Sequence, residues 1–134
     1  EMLNKVQAHE WLDGPRGQSG RVGGEARKLF LEMNALALSK PDLSQDEQRP
    51  SAWHRMSEVA APSLRLVGDQ DFTTLIDRHE YLSEEMPNAF AAVLEDVAHI
   101  PSLERPDLVN SMILQFLDAI EGSGSAEDDD ESDI

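Results

Sequence analysis

The rhythm of apolar positions changes along the chain, and each change marks an expected element. Between Glu25 and Leu38, Ala26, Leu29, Phe30, Met33, Leu36 and Ala37 recur at intervals of three and four, the spacing of a helix with one apolar face. Ahead of it lies a short apolar-polar segment ending at Trp11-Leu12-Asp13-Gly14-Pro15, then a glycine-rich loop through Gly24. Residues 40–51 carry Pro41, Asp42, Ser44, Asp46 and Pro50 and read as loop. From Ala52 the pattern tightens. A short helix carries Trp53 and Met56, and Leu64-Arg65-Leu66-Val67 is a compact strand stopped by Gly68. Residues 73–86 form a helix with Leu75, Ile76, His79, Leu82 and Met86 on one side, ended by Pro87. Ala91-Ala92-Val93-Leu94 is a second strand, apolar throughout as a strand covered on both faces should be. The last helix has Pro106 in its first turn, where a missing N–H costs nothing, and a stripe from Leu108 and Val109 through Met112, Ile113, Phe116 and Leu117 to Ile120. Gly122 is its expected C-cap.

Strands alternating with helices imply the α/β class with a parallel sheet. Two strands are too few for a stable open sheet, because at least one edge and part of a face stay uncovered. The expectation is that this chain docks on further strands supplied by another chain.

Composition narrows the partners. The chain has 134 residues and a net charge of -16, which argues against a nucleic-acid phosphate surface or an anionic membrane. Much of that charge lies in Glu127, Asp128, Asp129, Asp130, Glu131 and Asp133, after Gly122-Ser123-Gly124-Ser125. So polar a run buries too little apolar surface to offset its ordering entropy, so residues 122–134 are expected to be a disordered acidic tail. It lacks the mid-loop glycine and terminal glutamate of a calcium loop. With no cysteine, disulfides, zinc-thiolate sites and thiol nucleophiles are excluded together. No stretch approaches the roughly 20 apolar residues of a membrane span. The opening Glu1-Met2-Leu3-Asn4-Lys5 has neither the basic nor the apolar region of a signal peptide, so a cytoplasmic protein is expected. The missing initiator methionine points to a cut polypeptide.

Two segments resemble the α/β-hydrolases. Ala61-Pro62-Ser63-Leu64-Arg65-Leu66-Val67-Gly68-Asp69-Gln70-Asp71 is similar to their seventh strand and acid turn, in which glycine, two residues and the triad acid follow the strand. Val93 through Asp107, with His99-Ile100-Pro101 and Leu103-Glu104-Arg105-Pro106, resembles the eighth strand, the histidine loop and the start of the last helix. The resemblance is good over residues 52–120 and looser over 1–40, where Trp11 through Pro15 and the following helix look like part of a helical cap. It implies three regions: a cap portion and linker over 1–51, the C-terminal part of the hydrolase core over 52–121, and the tail.

Carried over by position, the resemblance makes Asp71 the triad acid and His99 the triad base, with the acid holding the imidazole in its working tautomer. Asp69 is the competing acid, but the glycine-x-x-aspartate spacing favours Asp71. Phe72 and Ile100, each following one of these residues, and Trp11 from the cap are expected at the substrate pocket, with packing the competing role. Phe30 and Met33 are further cap candidates. No cofactor or metal is implied.

The nucleophile elbow, glycine-x-serine-x-glycine between strand and helix, is absent. Gly17-Gln18-Ser19-Gly20-Arg21 breaks the pattern at its last position, and no strand leads into Ser19. The resemblance therefore implies that an N-terminal fragment of the same hydrolase carries the nucleophile and the oxyanion hole. The expected reaction is hydrolysis of an ester, lactone, amide or carbon–carbon bond in a small molecule. A hydrolase-like protein that only binds its ligand is one alternative. A dehalogenase or epoxide hydrolase with an aspartate nucleophile is another.

Other constellations have plainer readings. His9-Glu10-Trp11-Leu12-Asp13 has aspartate where the helical zinc motif needs its second histidine, and reads as surface charge. His79-Glu80 lacks a second ligand four residues on, and His54 reads as a surface or hinge residue.

Overall fold

The computed structural model describes residues 1–41 and 52–124. Most of the expected loop at 40–51 and nearly all of the acidic tail lie outside the described residues.

The first helix, α1 (Met2–Gln7), runs without a break into a wider π-helical turn, Ala8–Asp13. Gly14 ends it at φ 92°, in the left-handed region that glycine alone enters freely. A β-carbon there would also overlap the Gln70 carbonyl oxygen, so the chain leaves the helix hard against the turn after β1. A loop then leads into α2 (Gly24–Leu38), close to the bounds that its periodicity predicts. Phe30 of α2 meets Ala8 and Leu12 in a small buried cluster, flanked by Trp11, Val22, Leu31, Ile100 and Leu103. The rest of the predicted stripe is not buried by the described residues. Met33 and Leu36 stay 62% and 61% exposed, because no described residues cover that side.

After a 3-10 turn at Trp53–Glu58, whose Trp53 ring stacks on Tyr81, the sheet begins. Strands β1 (Ser63–Gly68) and β2 (Ala89–Leu94) pair in parallel, from Ser63 opposite Ala89 to Gly68 opposite Leu94. Helix α3 (Thr73–Glu85) makes the crossover. The short α4 (Pro101–Glu104) and long α5 (Pro106–Gly124) follow β2.

The alternation of side chains assigns the two faces of the sheet. Leu66 and Leu94 turn toward α5 and pack with Val97, Leu108, Val109 and Met112. Arg65 turns toward α3 and donates to the His79 carbonyl and to Ser83 Oγ at 2.9 and 3.2 Å.

Two expectations need correction. The expectation of a β2 covered on both faces is not met within these residues: Phe90 and Val93 are 51% and 55% exposed, because two strands give the flanking helices too little sheet. Gly122 does not cap α5 but lies within it, and the helix continues to Gly124. Among the described residues no helix is long and apolar enough to cross a membrane.

Candidate active site

Both strands end at the same edge of the sheet, and the two turns leaving them carry the candidate residues. Beyond β1, Asp69 donates its N–H to Leu94 O and Gln70 to Val97 O, at 3.0 and 2.9 Å, which ties one turn to the other. This brings the carbonyl of Val97 onto Gly68, where any β-carbon would overlap it. The required glycine of the acid turn is thus explained by close approach.

Asp71 is buried at the end of this turn, 3% exposed, and its Oδ1 accepts the Phe72 N–H at 2.7 Å. His99 Nδ1 lies 2.9 Å from Asp71 Oδ2 and 3.2 Å from Oδ1. A carboxylate only accepts, so Nδ1 carries the proton and donates it, leaving Nε2 as the free basic nitrogen. The ring is 41% exposed and the acid is not. The buried carboxylate thus holds one edge of a partly exposed ring.

Trp11 completes the setting. Its carbonyl accepts the His99 N–H at 3.2 Å. Its ring meets the His99 ring edge-on at 4.6 Å between centroids, and Phe72 at 4.8 Å. The π-helical turn thus delivers a carbonyl and an aromatic face to the histidine together.

Sequence reasoning passed over the polar residues that hold this arrangement. Asp13, read as surface charge, is fully buried, which corrects that expectation. Its carboxylate accepts from the Gly20 and Val22 N–H groups at 2.8 and 3.0 Å and pairs with Arg27 at 2.9 Å. Burial pushes its pKa up, but the Arg27 hydrogen bond and the two backbone N–H groups outweigh that and hold it below the ordinary range. His9 Nδ1, 3.7 Å from the same carboxylate, is buried without a hydrogen bond.

Glu104 is nearly buried and accepts the Ala98 N–H at 2.8 Å, while Arg21 pairs with its other oxygen at 2.7 Å. Burial raises its pKa, and the Ala98 N–H and Arg21 only partly offset that. Arg16 donates to the Asp69 carbonyl at 3.0 Å and to that of Asp71 at 3.4 Å. The available signal was the density of arginines, at 16, 21 and 27, after a Gly-Pro break.

The remaining candidates separate clearly. Asp69 turns its carboxylate to Gln70 Nε2 at 3.2 Å, while Asp71 meets the histidine. Ile100 packs against the Ala8, Leu12 and Phe30 cluster. With Phe30 and Met33 it also lines an apolar groove of about 400 Å³ between α2 and α4. Ser19 is exposed on the loop before α2, and His54 is exposed on the 3-10 turn. His79 is buried on α3, and burial, helped by the Arg65 charge, lowers its pKa. Among the described residues no cluster of His, Asp and Glu could hold a metal ion.

The parallel strand–helix–strand unit, with its flanking helices, is a mixed α/β arrangement similar to part of an α/β-hydrolase-like fold. Consistent with this, the chain is similar to the structure of MenH from S. aureus, an α/β-hydrolase-fold protein, with TM-score 0.51 and 28% identity. The match covers 54% of this chain and 27% of that one, so the chain spans little more than a quarter of the protein it matches. No family model and no curated protein matches the chain.

Proposed function

We propose that this chain is the acid- and base-bearing portion of an α/β-hydrolase-fold serine hydrolase, acting on a small-molecule ester, lactone, amide or activated carbon–carbon bond. The carrying observation is the contact of His99 Nδ1 with both oxygens of a buried Asp71, with the far edge of the ring left open. In this reading His99 Nε2 removes the proton of a serine hydroxyl as its oxygen attacks the substrate carbonyl. It then gives that proton to the leaving group, while Asp71 stabilises the imidazolium between the two steps. Water repeats the sequence on the acyl-enzyme.

The serine and the oxyanion donors belong, in this proposal, to an N-terminal portion of the same hydrolase, paired non-covalently with this chain. The uncovered apolar surface supports that part of the reading. Phe90 and Val93 on β2, Leu114 and Leu117 on α5, and Met33 and Leu36 on α2 are all more than 40% exposed, a spread suited to a packed interior.

The test is His99→Ala in the assembled protein. Turnover of a model ester is expected to disappear while pairing persists, and unchanged turnover refutes the assignment. An intact-mass and sedimentation measurement tests the pairing, which fails if the chain is a cooperatively folded monomer without a companion.

A further inference from the structure

The four residues that lead to and include His99 each have a backbone group held by a different partner. Asp96 O accepts from Arg21 Nη1 at 2.6 Å, and Val97 O from the Gln70 N–H at 2.9 Å. The Ala98 N–H donates to Glu104 at 2.8 Å and the His99 N–H to Trp11 O at 3.2 Å. Asp96 sits at φ 56°, a left-handed conformation that a non-glycine residue adopts only when its surroundings impose it.

One arginine reaches three of these four anchors. Arg21 holds Asp96 O directly. Through its 2.7 Å pair with Glu104 it fixes the carboxylate that receives the Ala98 N–H. Two more of its N–H groups go to Leu12 O at 2.9 Å and Asp13 O at 2.8 Å, which pins the turn that carries Trp11. Only a planar fork of five donors can serve two carbonyls on one segment, one on another and a carboxylate together.

We propose that Arg21 is a positioning residue for the base: acting through Glu104 and the Asp96 carbonyl, it sets the orientation of the His99 imidazole. This rests on the catalytic reading of His99 given above. Without Arg21, Glu104 is a carboxylate buried with no cationic partner, and it can no longer hold the Ala98 amide in the same geometry. The ring then loses its fixed distance to the nucleophile.

The experiment compares Arg21→Met, Arg21→Lys, Glu104→Gln and the Met–Gln double variant in the assembled hydrolase. Arg21→Met is expected to lower kcat on a model ester about 10- to 100-fold with KM changed less than about twofold. Glu104→Gln gives a similar loss, and the double variant is no worse than the more damaged single one. Arg21→Lys, which keeps the charge but not the fork, regains part of the rate. The low-field NMR resonance of the proton between His99 and Asp71, read without substrate, is expected to move or broaden in Arg21→Met.

An unchanged resonance, additive losses in the double variant, or a loss confined to KM overturns the proposal. If Arg21→Met does not fold, Arg21→Lys paired with Glu104→Gln completes the same cycle. If the wild-type protein hydrolyses no ester, the catalytic reading fails, and the resonance alone decides whether Arg21 sets the ring.

Discussion

The carbonyl oxygen of Val97 occupies the space in which a side chain of Gly68 would stand. The turns that carry Asp71 and His99 are therefore in backbone contact, and the distance between the two side chains depends on a missing methyl group. Gly68→Ala is expected to push the two turns apart, at a cost of about 1–3 kcal/mol as for other overpacked sites. Denaturant melts of the assembled protein read the stability loss, and kcat should fall further than stability explains.

Asp71 and Asp69 make a clean comparison, being two carboxylates two residues apart. Asp71→Asn should cost roughly four orders of magnitude in rate, the scale of the same exchange in the Ser-His-Asp template, by favouring the wrong imidazole tautomer. Asp69→Asn, whose carboxylate meets only Gln70 among the described contacts, should change the rate little. The opposite ranking in steady-state assays would reassign the acid.

Acid stability should show two separate windows. Asp13 has a folded pKa below the ordinary 3.8 of an aspartate, so its contribution is present above that pH and lost as pH falls through the lowered value. His79 has a folded pKa lowered from 6.5, so the folded state keeps it neutral; that contribution is complete above 6.5 and lost as pH falls through the lowered value. Urea midpoints followed from pH 7 to 3 should fall in both windows. His79→Leu should flatten the upper step, and Asp13→Asn the lower one.

Trp11 joins the cap-like segment to the base through both its carbonyl and its ring. Trp11→Ala keeps the carbonyl and removes the ring. It should cost about 3 kcal/mol, toward the low end for such truncations because the ring is only partly buried. Trp11→Phe, which preserves an aromatic edge toward His99, should lose much less in the same melts. Equal losses for the two would mean that a phenyl edge toward His99 does not replace the indole.

The strands, α3 and α5 were legible because their signals are local, whereas the pairing of Asp71 with His99, 28 positions apart, was implied only by the resemblance to α/β-hydrolases. Glycine and proline punctuate each element, and the two candidate residues follow their strands directly. The buried polar network was not. Asp13 ahead of Gly-Pro looks like surface charge until Gly20, Val22 and Arg27 fold back on it. Arg21 and Glu104 are 83 positions apart, and nothing in the pattern at either place announces the other. Of the predicted stripe on α2 only Phe30 is buried among the described residues, while Leu31, outside the stripe, packs beside it, so periodicity did not say which side would be covered.

The anchors of the histidine come from widely separated stretches: the π-helical turn, the loop after it, the turn beyond β1 and α4. Each acts only once the chain has closed on itself at that place. A partly folded molecule would hold the imidazole loosely, whatever else it had formed. Under the catalytic reading, such a molecule is harmless as well as idle, because chemistry becomes possible only once the whole scaffold has locked.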